Sequence, residues 1–404
     1  MKSINELASF REGEDYQRDN FDHFLKKVSF SYSIPSIHVA GSNGKGSTCY
    51  YLASILQQGG YKVGLFISPA LNQINESISI NGKQISDEDI KSIINDEIKL
   101  INKCTLSSFE VLTYVAFKYF EKAKCDVAII ECGMGGEIDA TNIFTPILSI
   151  ITSISLEHTS YLGRTISEIA EQKAGIIKDY VPALIGDVPE DALTLISDVC
   201  KEKESKLYQS AVPSNIVLKN EGYKFDYSIY HNVLIKSNAD YSVYDACLAL
   251  DAYEIIKESF PVQYEQVLAG LNSISIPCRF EIFNKQKTVI VDGAHNPESM
   301  VKLVKSLQNS LQNKRIGTVF SCFKDKNLNS MLASIGEVSD KLYLTTFPHV
   351  RARDESDYFL YADEYPFFAN ALDAYSSFLN DEEIDVVVIT GSLAFAGYMK
   401  ELIK

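Results

Sequence analysis

The chain is predicted to be an α/β protein of two parts. Residues 1–275 form an N-terminal domain on a mostly parallel sheet, and residues 276–404 form a smaller C-terminal α/β domain. Three observations predict this. Short runs rich in Val, Ile and aromatics alternate with helix-length segments, the pattern of a sheet covered by helices on both faces. One such run ends in a glycine-rich turn with a single lysine, followed by an amphipathic stretch. After Pro277 the alternation starts afresh, over a length that suits a separate domain. At 404 residues the chain exceeds the usual size of one core.

The strands expected in the first domain are 34–39, 61–67, 126–132, 146–152 and 181–185. A helix is expected over 48–58, stopped by Gly59 and Gly60. Another covers 107–121. A third covers 165–178 and opens on Thr165 with Glu168 three residues on, the spacing of a capping box. The polar stretch 201–214 reads as a surface connection, and Ser and Pro interrupt the pattern at 272–277. Beyond it, strands are expected at 288–291, 316–320, 341–346 and 385–390, with helices between them.

Composition narrows the function classes. With 46% hydrophobic and 23% charged residues the chain has ample material for cores and is not disordered overall. No apolar run approaches the roughly 20 residues that span a bilayer. Residues 1–6 have neither the basic start nor the apolar stretch of a leader, so a cytoplasmic location is expected. Eight cysteines are scattered without a CxxC pair, which signals neither a zinc site nor a disulfide framework. The net charge of −15 opposes nucleic-acid binding, although local Lys and Arg can still hold a small anion.

Five segments can carry chemistry. The first is Ile37-His38-Val39-Ala40-Gly41-Ser42-Asn43-Gly44-Lys45-Gly46-Ser47-Thr48. Such a turn places backbone N–H groups and a helix N-terminus around an anion, with Lys45 as a point charge and the Ser47 hydroxyl available to Mg²⁺. It departs from the standard P-loop: Gly46 separates Gly44-Lys45 from Ser47, and Val39 stands where a glycine is expected. The alternative is a polar turn with Lys45 in solvent. Second, Glu131 ends a strand where parallel sheets bind ligands, as a metal ligand or as a carboxylate capping a glycine turn. Third, Glu157-His158 follows the strand 146–152, and a lone loop histidine is more often surface or core than a ligand. Fourth, Lys173 reads on its own as a solvated helix lysine. Fifth, Asp292-Gly293-Ala294-His295-Asn296-Pro297 joins a buried-type strand to a helix, with Pro297 suited to the first helical position and Asn296 to the cap. Arg279, just past the boundary, can reach an anion.

Taken together and in order, these segments resemble the Mur ligase superfamily and, within it, the folylpolyglutamate synthases, often bifunctional with dihydrofolate synthase. His38 to Ser47 resembles the family's phosphate loop, including the glycine between lysine and serine. Ser68-Pro69-Ala70-Leu71, with Asn75-Glu76 and Ile80-Asn81-Gly82, resembles its second motif, and Ser108-Phe109-Glu110-Val111-Leu112-Thr113 its helix. Glu131 to Asn142, Leu156-Glu157-His158 through Leu162-Gly163, Lys173 to Lys178, and Asp292 to Pro297 are similar to further diagnostic segments.

The resemblance implies a P-loop ATPase domain followed by a Rossmann-like C-terminal domain. It implies Lys45, His158 and Lys173 as catalytic, with Lys173 carbamylated. It implies Asn43, Gly44, Lys45, Gly46, Ser47, Asp245, Arg279, Asp292 and His295 around ATP. Ser47, Ser68, Glu131 and His158 would hold magnesium, two ions in all. The implied reaction adds L-glutamate to a folate or dihydropteroate carboxylate through an acyl phosphate, by a monomer that acts on small molecules. The departures are Ala70 for a frequent His, Ser242 for Gln, Asp245 for Asn and Cys278 for Gly. A Mur-type ligase for another carboxylate is the enzymatic alternative. It is disfavoured by a phosphate loop that begins by about residue 40, which leaves no room for a further N-terminal domain. A non-ligase P-loop protein is the other alternative, and the Asp292–Pro297 segment speaks against it.

Overall fold

The computed structural model describes residues 18–159 and 161–404, so residues 1–6, read above for a leader, and Ser160 in the His158 segment lie outside the described residues. Eight strands make the first sheet: β1 (Ser36–Ala40), β2 (Val63–Phe66), β3 (Ile78–Ile80), β4 (Lys83–Gln84), β5 (Val127–Glu131), β6 (Leu148–Ser153), β7 (Ala183–Asp187) and β8 (Leu207–Gln209). Their order is β4-β3-β2-β5-β1-β6-β7-β8. Only β3 runs antiparallel to its neighbours β2 and β4; the other pairs are parallel. The mostly parallel sheet expected from the sequence is therefore present. β1, β5 and β6 are buried along their whole length, so polar members such as Ser36, His38, Ser149 and Thr152 are buried with the Val and Ile around them and the strands show no in/out alternation.

Helices α1 (Asp19–Lys27), α2 (Lys45–Gln58), α3 (Asp87–Cys104), α4 (Ser108–Ala123), α5 (Ile166–Ala174) and α6 (Glu190–Glu202) accompany this sheet. One core joins α1, α3 and α4 to the sheet through Phe21, Phe24, Ile94, Phe117, Phe120 and Ile130. A second joins α5 and α6 to it through Ile169, Ile176, Ile185 and Ile196. Each such side chain contributes about 1.5–3 kcal/mol when fully buried. The capping box expected at Thr165–Glu168 is formed, and a second caps α4 at Ser107–Glu110.

Three strands that the sequence did not announce, β9 (Ser214–Lys219), β10 (Gly222–Tyr227) and β11 (Tyr230–Ile235), form a small sheet in the order β11-β10-β9. Helices α7 (Tyr241–Ile256) and α8 (Tyr264–Ser273) follow. The stretch expected as a surface connection over 201–214 instead contains the end of α6 and the edge strand β8.

The last sheet has six strands: β12 (Glu281–Asn284), β13 (Thr288–Val291), β14 (Ile316–Phe320), β15 (Lys341–Thr345), β16 (Phe367–Phe368) and β17 (Val386–Thr390). Their order is β12-β13-β17-β14-β15-β16, parallel except for β12. Helices α9 (Pro297–Ser310), α10 (Leu328–Gly336), α11 (Ala371–Leu379) and α12 (Leu393–Ile403) alternate with these strands. The chain divides into two compact units. One comprises the described residues up to Pro213 with 227–230 and 244–274; the other comprises 214–226, 231–243 and 275–404.

Candidate functional site

In the first unit, β1 lies between β5 and β6, with Val39 level with Glu131 and Ala40 level with Ile151. All three strands end at one edge, where parallel sheets place ligands. The chain leaving β1 is tied down by β6: Ser42 N donates to Ser153 O at 2.9 Å, Asn43 N donates to Ser153 Oγ at 2.9 Å, and Thr152 Oγ1 donates to Asn43 O at 2.6 Å. Gly44 adopts a left-handed conformation, φ +84, and caps α2. Because the turn closes there, α2 begins at Lys45, three residues before the start expected from the sequence. Gly46 and Ser47 thus lie in the first turn, whose N–H groups lack intrahelical acceptors and face the helix's positive end. Lys45 Nζ donates back to Gly41 O at 2.7 Å. Asp245 stands beside this loop: a Cβ added to Gly44 would lie 2.4 Å from its Oδ1.

Ser68 and Glu131 meet at the same edge. Ser68 N donates to Glu131 Oε2 at 3.1 Å, and a Cβ on Gly46 would stand 3.4 Å from that oxygen. The Ser68 hydroxyl is buried without a hydrogen-bond partner, and Ser47 and Glu131 are buried too. A carboxylate and hydroxyl oxygens, one of them orphaned, fit a hard divalent cation such as Mg²⁺. No group of three His, Cys, Asp or Glu side chains that could hold a metal occurs among the described residues, so this set depends on its hydroxyls.

Lys173 is not a solvated helix lysine. It is 1% exposed, and its Nζ donates to Glu157 Oε1 at 2.8 Å. Burial pulls the Lys173 ammonium below its usual range, against the restoring charge of Glu157 and with the repulsion of Lys45 added. Burial would by itself raise the Glu157 carboxyl, but the charges of Lys173 and Lys45, together with that hydrogen bond, hold it down at about 2. His158 adds a smaller pull in the same direction. Lys45, Glu157, His158 and Lys173 therefore share one electrostatic cluster. The His158 backbone is left-handed, φ +45, and its carbonyl accepts from Tyr161 N and Leu162 N, so the loop turns sharply at that residue. The sequence marked Glu157 only as the neighbour of the candidate histidine and gave it no role of its own.

The loop after Glu131 carries a second network. Asp139 accepts from Met134 N at 2.8 Å, from Thr141 N at 2.9 Å and from the Thr141 hydroxyl at 2.5 Å. Thr141 Oγ1 in turn pairs with Nε2 of His38 on β1 at 2.9 Å. Burial drives the His38 imidazole down to about 3, so it is neutral at physiological pH.

In the second unit, Asp292 directly follows β13 and is buried. Its carboxylate accepts from Phe280 N at 2.8 Å, Ala294 N at 2.8 Å and Tyr241 OH at 2.5 Å. These bonds make it an organiser of the loop. Arg279 lies over Gly293, where a Cβ would come within 2.6 Å of its Nη1. His295 Nδ1 stands 3.0 Å from Gly293 O. Asn296 caps α9 and Pro297 is its first residue, as the sequence indicated. Two departures have a defined local setting. Cys278 replaces glycine at a left-handed position, φ +53, which glycine adopts without steric cost. Ser242 is buried and pairs with Ser237 Oγ at 2.9 Å.

Comparison with known proteins agrees with these features. The Mur ligase middle domain model matches residues 39–210, and the Mur ligase glutamate ligase domain model matches residues 278–393. The dihydrofolate synthase/folylpolyglutamate synthase of Bacillus subtilis is 32% identical over 391 residues, covering 92% of this chain and 91% of that protein. The structure of E. coli FolC in complex with DHPP and ADP superposes with a TM-score of 0.89 at 27% identity, over 99% of this chain and 96% of that one. The folylpolyglutamate synthase of Mycobacterium tuberculosis complexed with ADP and AMPPCP gives 0.88 at 27% identity, over 96% and 95%.

Proposed function

Since the chain belongs to the Mur ligase family, among its dihydrofolate synthase/folylpolyglutamate synthase members, we propose that it is an ATP-dependent ligase that joins L-glutamate to a folate-type carboxylate. The observation that carries this reading is the meeting of Glu131 and the orphaned Ser68 hydroxyl with the first turn of α2, beside the buried Lys173–Glu157 pair.

The α2 N-terminus and Lys45 receive the β- and γ-phosphates of ATP, and Lys45 exchanges the Gly41 carbonyl for phosphate oxygens. An acceptor carboxylate oxygen attacks the γ-phosphorus in line, the bond to the bridging oxygen breaks, and ADP leaves with an acyl phosphate formed. The glutamate amine attacks the acyl carbon and loses a proton; inorganic phosphate departs with the carboxylate oxygen, leaving an amide. Most of the rate comes from holding these groups in line and from cationic charge around the phosphoryl oxygens. Ser47, Ser68 and Glu131 would hold one magnesium and His158 with Lys173 a second. Bound there, magnesium offsets phosphoryl charge and orients its oxygens.

Lys173 serves the second position as a carbamate, formed when its neutral amine adds CO₂ and releases a proton. Its buried setting favours the neutral amine this addition requires. The product is an anion beside Glu157, so the pair then needs a shared cation. Asp245, which stands beside the phosphate loop, and Arg279, Asp292 and His295 take nucleotide roles on the strength of the family resemblance.

The test is ATP turnover by the purified protein with glutamate, comparing dihydropteroate with tetrahydrofolate as acceptor. Phosphate release that needs both glutamate and one of these acceptors supports the reading. Release indifferent to glutamate refutes it in favour of a P-loop protein that is not a ligase.

A further inference from the structure

Resting on that reading, we propose that Arg18 is a positioning residue for the reaction, a latch that fixes the loop between Glu131 and β6. Arg18 is the residue before α1, about 120 positions from that loop in sequence. Its Nη1 donates to three loop carbonyls: Asn142 O at 2.9 Å, Glu137 O at 3.3 Å and Asp139 O at 3.4 Å. Its Nε is held by Asp22 Oδ1 at 3.1 Å, one helical turn along α1, which sets the plane of the guanidinium. Three carbonyls converging on one point concentrate negative potential there. Among side chains, only the forked guanidinium meets them while keeping a bond to a carboxylate behind it.

The latched loop ties Glu131 to the helix that carries Lys173 and to β1. It begins directly after Glu131. Its Gly136 packs so close to α5 that a Cβ would meet Gln172 O at 2.7 Å and Lys173 O at 3.0 Å. Glu137 N donates to Gln172 O at 2.7 Å, and Asn142 Nδ2 donates to Glu137 O and, at 3.2 Å, to Gly175 O. Through Asp139 and Thr141 it grips His38, two residues before Ala40 ends β1. Arg18 touches none of the residues assigned to substrate or metal. It fixes the loop that sets the spacing between Glu131 and Lys173.

The experiment compares wild-type protein with Arg18→Ala and Arg18→Lys in three measurements: melting temperature, glutamate-dependent ATP turnover with KM and kcat separated, and amide hydrogen exchange by peptide. The expected result for Arg18→Ala is a kcat lower by about 100-fold, the scale of a misplacement of about 1 Å, with KM for ATP within about twofold. Exchange should quicken in peptides covering 133–142 and 172–176 and stay unchanged in the last sheet. Arg18→Lys keeps the charge without the fork and should recover only part of the loss. Unchanged kcat in an active, folded Arg18→Ala protein overturns the proposal. So does exchange that quickens throughout the first unit, which would make Arg18 a general stabiliser. Absence of glutamate-dependent turnover in the wild type would instead refute the ligase reading, and the exchange pattern would still decide whether the latch exists.

Discussion

In the metal-free protein, where Lys173 is the unmodified ammonium paired with Glu157, replacing it by Ala tests the buried cluster most severely, because it strands a carboxylate. Glu157 is 9% exposed and Lys173 is its ion-pair partner at 2.8 Å, so the single variant leaves an uncompensated charge in the interior. Removing one partner of a buried pair costs about 3–5 kcal/mol. The Glu157 carboxyl, held at about 2 by the charges of Lys173 and Lys45 against its own burial, points in the same direction. Burial of Lys173 works in the opposite sense: its lowered value costs stability at every pH where the unfolded lysine is charged, so the intact pair contributes little net. Replacing both partners, Lys173→Met with Glu157→Gln, should therefore lie much closer to wild type than Lys173→Ala does. The assay is urea denaturation of each variant, with the coupling read from the double-mutant cycle. The Glu157 contribution is fully present above about pH 4.5 and is lost as pH falls toward 2, so the stability gap between wild type and Glu157→Gln should narrow in acid. A Lys173→Ala variant within about 1 kcal/mol of wild type at pH 7 would refute the reasoning, because a stranded buried charge cannot cost so little.

Three other outcomes are expected. Lys45→Ala should abolish glutamate-dependent ATP turnover while leaving circular dichroism and melting close to wild type, since its bond to Gly41 O is local; a folded variant with near-normal turnover contradicts the assignment. Gly44→Ala places a Cβ 2.4 Å from Asp245 Oδ1 at φ +84, so KM for ATP should rise about tenfold or more, with about 1–2 kcal/mol of strain. Adding Asp245→Ala removes the clash but also a proposed nucleotide contact and leaves the backbone strain, so KM should stay raised; full recovery in the double variant would show that neither the strain nor that contact matters. Finally, formate or acetate should partly restore turnover to Lys173→Ala by supplying the missing carboxylate, and bicarbonate should not; no response to any short carboxylate contradicts a carbamate role.

Elements buried on both sides were the most legible. The strands Thr288–Val291 and Ile316–Phe320 have the boundaries read from sequence, because short runs rich in β-branched and aromatic residues bounded by polar stretches have only one place to lie in a buried parallel sheet. The α5 capping box and the Asn296–Pro297 helix start were equally plain, since each is set by bonds within four residues. The start of α2 was misplaced by three residues because the left-handed turn at Gly44 is a backbone property that composition does not display. The small sheet of β9, β10 and β11 was missed because its strands mix polar and apolar residues, and β9 is exposed along nearly all its length. Within the site, Lys45 was found because it sits in a glycine turn and Glu131 because it stands at a strand's end, whereas Ser68 came from the family resemblance alone. The burial of Lys173 and the reach of Arg18 depend on partners 16 and about 120 residues away, which no local pattern encodes.

The central claim is that ATP activates the acceptor's carboxylate by phosphorylating it. It is tested most directly by supplying an acceptor whose reacting carboxylate carries ¹⁸O at both oxygens, with ATP and glutamate, and analysing the phosphate released by mass spectrometry. The account expects one ¹⁸O in each phosphate, in step with ADP and with a product longer by one glutamate. Phosphate free of the label, with glutamylated product still accumulating, would contradict it.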